Sequence, residues 1–293
     1  MDGIIVLNKP TGISSHDCVN IIRRTFNTKK VGHAGTLDKE ASGVLVLGIN
    51  KGTKLMPYIN QDDKGYMFTV AFNHATDTLD HAGELLEKRD FDAFDTLDAT
   101  LASFLGHYEQ TPPAYSAIKV AGKKLYEYAR KGEDVPEVEP RPLFIYTLKR
   151  LSEIKKRPDG TVEADLFVEA SKGLYVRKLA LDIAHRLGTV AHTRRIHRTQ
   201  SGLFGIEDAT EMAELKRGKY KVFSLSEAVR GIPALTVDAS TAGMVENGRK
   251  LDLQSEEERL KLIDSSNTLL AIYVRREDGT YKPEKVFIQR GRS

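Results

Sequence analysis

Residues 31–48 read VGHAGTLDKEASGVLVLG. The second half, Val44-Leu45-Val46-Leu47, is an unbroken apolar run with the length of a buried strand. The first half is a loop of small residues, Gly35, Thr36, Ala41, Ser42 and Gly43, around one carboxylate, Asp38, with His33 upstream. Glycines permit backbone conformations that let another group come close. A lone loop aspartate most often caps a turn. This one sits beside a rigid strand, where a reacting group is held well. The pattern leaves both readings open.

Outward from there, the first 230 residues mix strands and helices. Upstream, IIVLNKPTG (4–12) reads as a strand ending in a turn. Ser14 or Ser15 caps a helix with Val19, Ile22 and Phe26 on one face. Downstream, YMFTVAF (66–72) and TVEADLFVEAS (161–171) have strand patterns, the latter half-buried. FDAFDTLDATLASFLG (91–106) predicts an amphipathic helix with Phe94, Leu97, Leu101, Phe104 and Leu105 inward and Gly106 at its end. AYSAIKV (114–120) reads as a strand and KKLYEYARKG (123–132) as a helix closed by Gly132. GEDVPEVEPRP (132–142) is a Pro- and Glu-rich loop, long enough to be functional. LYVRKLALDIAHRLG (174–188) is helical and stops at Gly188. A regular βαβ rhythm is missing, which predicts an α+β fold with a central mixed, mostly antiparallel sheet flanked by helices. From Ile232 the pattern changes to a short helix, TAGMVENG (241–248), and two strands in LLAIYVRREDGTYKPEKVFIQ (269–289) joined by an Asp-Gly turn. The expected division is 1–231 and a small β-rich module, 232–293.

The chain has 293 residues, 40% hydrophobic and 29% charged, with net charge +3. The charge is uneven: from Arg141 to Arg198 there are thirteen Lys/Arg against six Asp/Glu. Such a local field suits a polyanionic partner, or simply a solvated face. The single cysteine, Cys18, allows no intrachain disulfide and fits a reducing compartment. The acidic start and short apolar run do not read as a signal peptide, and no stretch approaches the roughly 18 apolar residues of a membrane helix. These features predict a cytoplasmic protein.

Several chemistries fail on spacing. GINKGTK (48–54) lacks the order of a phosphate-binding P-loop. HATDTLDH (74–81) carries His74, Asp77, Asp80 and His81, but in no metal-ligand spacing, and reads as a turn. Cys18 lies within an apolar helical face and reads as a core residue. SKGLYVRKLA (171–180) is more informative. It places Tyr175 and Arg177, flanked by Lys172 and Lys178, at a strand-to-helix junction. Arg177 is either the partner of a buried carboxylate, lowering its pKa, or a solvent-facing phosphate contact.

Together these stretches resemble the TruB family of tRNA pseudouridine synthases. GIIVLNKPTGISSHDCV is similar to its first motif and GHAGTLDKEASGVLVLGINKGTK to its catalytic motif. KGYMFTVAFNHATDTLD, QTPPAYSAIKVAGKKLYEYARKG, SKGLYVRKLALDIAHRLGTVAH and TQSGLFGIEDA resemble the later ones. The resemblance runs in order from residue 3 to 210. Less specifically, the tail is similar to a PUA module, an RNA-binding β-barrel.

The resemblance implies a pseudouridine synthase fold and conversion of uridine 55 in the T-arm of tRNA to pseudouridine, with no cofactor and no metal. Asp38 would be the nucleophile, Tyr66 the tyrosine stacked on the target base and Arg177 the partner of the aspartate. His33, Tyr175, Ile196, Lys172, Lys178 and Lys9 would lie near the RNA, Ile196 where the family usually has leucine. Lys9 and Pro10 would also support the catalytic loop. The insertion around 108–141 would clasp the T-arm, and the enzyme would act as a monomer without guide RNA, partner protein or membrane. Alternatives are a non-catalytic tRNA-binding or folding protein, or a guide-RNA-dependent rRNA enzyme. The covalent step has three possible forms: attack on the anomeric carbon, attack on uracil C6, or a glycal route. The chain departs from the family pattern at Lys39, Ser42 and HTRRIHRTQ (192–200).

Overall fold

The computed structural model describes residues 1–59 and 63–288. Four strands frame the site: β1 (Gly3–Lys9), β2 (Val31–Ala34), β3 (Ser42–Ile49) and β4 (Lys64–Phe72). They belong to a mixed sheet whose main path runs Thr210–Glu211, β1, β3, Ala191–Ser201, β4, Val162–Ala170, Arg141–Arg150, Gly106–Gln110. Most neighbours are antiparallel. Two joins on that path are parallel: β1 with Thr210–Glu211, and β3 with Ala191–Ser201. The fold is α+β, as expected from the sequence.

The long apolar runs have a simple cause. On one face, Ile5, Leu7, Leu45, Leu47, Phe68 and Val70 pack beneath helix α1 (Ser15–Thr25) and the Val176–Leu187 helix. On the other, Ile4, Val6, Val44 and Val46 pack against Leu269, Ile272 and Phe287 from the C-terminal module. β1 and β3 are therefore buried on both faces, and a doubly buried strand reads as continuous rather than alternating hydrophobicity.

The C-terminal module has its own core, including Val245, Leu260, Leu262, Tyr273 and Tyr281. Its four strands run Ala234–Thr236, Arg259–Ile263, Leu269–Arg275, Tyr281–Val286, with a helix at Ala239–Glu246. Gln289, which the sequence pattern includes in the last strand, lies outside the described residues.

The helices start and stop where the sequence indicates. Ser14 caps α1 in a capping box with Asp17. Gly188 ends the Val176–Leu187 helix in the left-handed conformation, φ +92°. Three segments differ. The 91–106 stretch is a 3-10 turn, Phe94–Thr96, and a short helix, Leu97–Ala102. Leu105 is exposed, because the chain turns at Gly106 into a strand. In 114–120 only Lys119–Val120 is strand; the rest is irregular. Finally, HTRRIHRTQ lies in the Ala191–Ser201 strand at the middle of the sheet.

That strand creates the site. It pairs with β4 from Ala191↔Phe72 to Ser201↔Lys64, with two register shifts. With β3 it pairs at only two positions, His197↔Ser42 and Arg198↔Gly43. Further along β3, residues 46–49 pair with β2, and the loop that carries Asp38 connects the end of β2 at Ala34 to the start of β3 at Ser42.

Candidate active site

The loop 35–41 is fixed at almost every residue. Leu37 and Ala41 are buried in the main core. The Ser15 hydroxyl accepts from Leu37 N and donates to Leu37 O, both at 2.9 Å. Lys39 O accepts from Gly12 N at 2.9 Å and from Lys9 Nζ at 3.3 Å. Gly35 O accepts from Arg198 Nη2 at 3.2 Å. Between these anchors the Asp38 side chain remains 46% exposed.

Its Oδ2 accepts from Arg177 Nε at 2.8 Å. Arg177 is buried and fully engaged: Nη1 donates to Thr78 O at 2.7 Å and Nη2 to Tyr115 O at 2.9 Å. It sits in the first turn of its helix, where the macrodipole disfavours a cation. Three acceptors on three sides offset that cost. The helix start is itself pinned: Tyr175 N donates to Gln110 Oε1 at 2.8 Å, and Gln110 Nε2 donates to Tyr175 O at 3.1 Å.

HATDTLDH forms a turn that aims Thr78 O at Arg177. Asp77 accepts from Thr78 N and Glu84 N, and Asp80 from Thr78 Oγ1 and Ala82 N. No cluster of three His, Cys, Asp or Glu side chains is placed to hold a metal among the described residues. Burial pushes the Cys18 thiol up to about 11, which leaves it protonated and inert at neutral pH.

Asp38 faces a cleft of about 1160 Å³, large for a small-molecule pocket. Tyr66, Tyr175, Arg177, Ile196 and Lys172 line it with Asp38, so six of the nine expected site residues converge there. Tyr66 and Ile196 are 7% and 8% exposed and join the cleft floor to the main core. Burial also raises the pKa of Tyr175, whose phenol stays neutral.

The other three do not line the cleft. Lys9 is fully buried and donates to the carbonyls of Pro10, Ile13 and Lys39. Its place among substrate contacts is corrected: it is buried and holds the loop that carries Asp38 through Lys39 O. Lys178 pairs with Asp182 one helical turn on, and Asp182 also accepts from Tyr108. His33 lies on β2, and its buried Nδ1 has no partner among the described residues. Burial and the charge of Arg198 lower its pKa and favour the neutral ring.

Three features escape a sequence reading. Arg198 lines the cleft, is 1% exposed and donates from Nε to Val44 O at 2.7 Å as well as to Gly35 O. Its spacing of two from Ile196 would have placed it on the same strand face, had the strand been recognised. The family resemblance puts the 108–141 segment near the RNA without naming side chains; Tyr115, Tyr126, Arg130 and Arg141 are the ones at the cleft wall. The third concerns Gly43. Its φ is +106°, and a Cβ there would lie 2.2 Å from Arg198 O. This glycine lets β3 touch the Ala191–Ser201 backbone; it does not clear space for a ligand. Much of the basic excess in 141–198 is also engaged internally, as in Arg150 with Asp98 and Arg157 and Arg194 with Glu163.

Known proteins resemble this chain over nearly its whole length. Residues 23–176 match the family model described as TruB family pseudouridylate synthase (N terminal domain). The chain is 36% identical to tRNA pseudouridine synthase B of Bacillus cytotoxicus, covering 98% of each chain. It is 39% identical to the protein of the same name in Shouchella clausii, over 97% of this chain and 98% of that one. Among solved structures it is similar to a chain of a Cbf5-Nop10-Gar1 complex, with TM-score 0.73 and 23% identity, covering 98% of this chain and 85% of that one. A chain of an H/ACA RNP bound to a substrate RNA containing 2′-deoxyuridine gives TM-score 0.72 at 21% identity, with 99% and 86% covered. At these identities the structural likeness concerns the fold alone. The near-complete coverage at 36–39% identity, with the matched family domain, establishes that the chain belongs to the TruB family of pseudouridylate synthases.

Proposed function

We propose that this protein isomerises uridine to pseudouridine at position 55 in the T-arm of tRNA, with Asp38 as covalent nucleophile. The observation that carries the reading is the Asp38–Arg177 pair at the cleft floor. One carboxylate oxygen is held by Nε of an immobilised guanidinium, while Oδ1 has no partner among the described residues and faces the cleft. The names of the curated relatives supply the substrate class.

The residues divide the work. A stacked uridine must be flipped out at a cost of a few kcal/mol. Tyr66 and Tyr175 offer aromatic surfaces for the extruded base, and Ile196 an apolar one. Asp38 forms a covalent bond to the nucleotide as the N1–C1′ bond breaks. The freed uracil turns within the cleft, the C5–C1′ bond forms, Asp38 is released, and the proton lost from C5 is balanced by one taken up at N1. No electrons are exchanged with an external donor. Arg177 keeps the carboxylate oriented throughout, because its other two nitrogens are fixed to backbone carbonyls.

The 108–141 insertion, with Tyr115, Tyr126, Arg130 and Arg141 at the cleft, is suited to clasp the T-arm. The module from residue 232 on is read as a PUA-like RNA-binding unit. The enzyme is proposed to act as a cytoplasmic monomer without guide RNA. No helix among the described residues is long and apolar enough to cross a membrane.

Release of tritium from C5-labelled uridine in a bare T-arm stem-loop tests the proposal. Wild type should release it with no added protein or RNA, and Asp38→Asn should bind the stem-loop without releasing it. Release by the variant at near-normal rate would remove Asp38 from the chemistry.

A further inference from the structure

Two segments far apart in sequence meet outside the cleft. Phe26, at the end of α1, makes an edge-on contact with Tyr220, ring centroids 5.0 Å apart. Residues 216–221 read KRGKYK, and residues 29–30 are both lysine. Arg24, Lys29, Lys30, Lys216, Lys219 and Lys221 are exposed. None of the six has a carboxylate within ion-pair distance among the described residues, whereas Arg217 between them is taken by Glu214 at 2.6 Å. Lys221 rests over the Phe223 ring at 4.1 Å. Tyr220, 37% exposed, presents part of its ring among these charges.

Exposed lysines are usually just solvated. Here six cations with no carboxylate at ion-pair distance among the described residues flank one aromatic contact, in a chain whose net charge is only +3, although Lys221 also acts electrostatically on Glu227. Each lies within about five residues of Phe26 or Tyr220, so none is more than roughly 18 Å of chain from the contact. Exposed like charges within a Debye length of one another repel, and a bound polyanion relieves that repulsion. The chemistry favours one kind of anion. Lysine is depleted at protein–protein interfaces, and membrane-surface helices need an apolar face beside the basic one. A lysine-rich, polar surface with one partly exposed aromatic suits a phosphate backbone.

None of these residues lines the cleft. Ser14 and Ser15 do, at the opposite end of α1, and an 11-residue helix spans about 16 Å. We propose that the patch is a second RNA-contact surface, which binds the phosphate backbone of a part of tRNA beyond the T-arm stem-loop. The proposal rests on the function proposed above, and the test separates the two.

The variant carries Lys29→Ala, Lys30→Ala, Lys216→Ala and Lys219→Ala together; Lys221 stays because it packs on Phe223. Binding to full-length tRNA and to the T-arm stem-loop is measured by filter retention over about 50 to 200 mM salt. Expected is at least a tenfold loss of affinity for tRNA and a salt slope shallower by about 3, from four lost phosphate contacts. Stem-loop affinity and tritium release from it should not change, which also reports an intact fold. Unchanged tRNA affinity, or equal loss on both RNAs, would overturn the patch as a separate surface. So would patch-dependent binding to phosphatidylserine vesicles with tRNA affinity unaltered. If wild type releases no tritium from either RNA, the proposed activity fails, while the binding comparison still decides the patch.

Discussion

Arg177 Nε lies 2.8 Å from Asp38 Oδ2, although 139 residues separate them in the chain. Each comes from a different side of the cleft, and each is fixed to backbone on its own side. Arg177→Lys keeps a charge but replaces a planar fork by a single ammonium, which cannot hold Asp38, Thr78 O and Tyr115 O in the same directions. The expected result is a fall in kcat of about 10²-fold or more, with KM little changed. Arg177→Ala should be slower still. Single-turnover tritium release measures both; wild-type rates in the lysine variant would mean that charge alone matters.

Gly43→Ala tests why that position is glycine. The added methyl would meet Arg198 O at 2.2 Å with φ at +106°. Overpacking against backbone in a strained conformation should cost roughly 2–4 kcal/mol. Gly12→Ala is the control: its φ is +85°, but nothing lies within 4 Å of the new Cβ. Its cost should be only the left-handed strain, about 1–2 kcal/mol. Urea midpoints compare the two; equal losses would show that the Arg198 contact gives way easily.

Arg198 is a positioning residue. Removing its side chain in Arg198→Met leaves Gly35 O and Val44 O without their donor, each worth about 1–3 kcal/mol if buried and unpaired. Loss of stability alone would fit a purely structural role. The loop tether predicts more: a lower kcat at constant KM, measured below the variant's melting range, and only partial rescue by Arg198→Lys. Full activity in folded Arg198→Met would disconnect it from Asp38.

Acid should weaken the fold through three histidines. Burial lowers the pKa of His33, His192 and His197 below the ordinary 6.5, with Arg198 adding to the effect at His33 and Arg195 at His197. As pH falls through 6.5 the unfolded chain takes up protons that the folded chain resists. The stability they contribute is thus complete above that value and lost below it. Urea unfolding at about pH 7.5 and pH 5.5 should show the loss, and His197→Gln should reduce it. A pH-independent midpoint over that window contradicts the expectation.

Removal of the C-terminal module should destabilise the rest of the fold. Leu269, Ile272 and Phe287 cover Ile4, Val6, Val44 and Val46, and each buried large side chain is worth about 1.5–3 kcal/mol. A chain ending at Gly231 should bind a hydrophobic dye and melt well below the full protein. The sequence pattern marks residues 232–293 as a separate small module. A truncated chain of unchanged melting temperature would restore that view.

Much of the fold is legible because β1, β3 and β4 are long apolar runs and the helices carry recognisable caps. That Arg177 needs an acceptor is legible in part, since a charge among apolar neighbours needs a partner; that the acceptor is Asp38 comes only from the family resemblance. The Ala191–Ser201 strand is not. Its charged and polar side chains hide the alternation, and what satisfies them is distant in sequence: Glu163 for Arg194, the carbonyls of Gly35 and Val44 for Arg198. Lys9 misleads in the same way, since a buried lysine bonded to three carbonyls looks, in a sequence, like any basic residue of an RNA-binding protein.

The strand order has a consequence for synthesis. The ribosome makes β3 and β4 early, yet the strand that belongs between them is still more than a hundred residues away. At about 5–20 residues per second, Asp38 waits roughly 7 to 30 s for Arg177 to be made. During that time one edge of β4 and the end of β3 at Ser42 and Gly43 must stay unclaimed, open to wrong pairing, while β2 already covers residues 46–49. Insertion of Ala191–Ser201 covers both and brings Arg198 to the loop at Gly35. The nascent protein is therefore most vulnerable to aggregation before that insertion, and the Asp38–Arg177 pair can form only after about three-fifths of the chain has been translated.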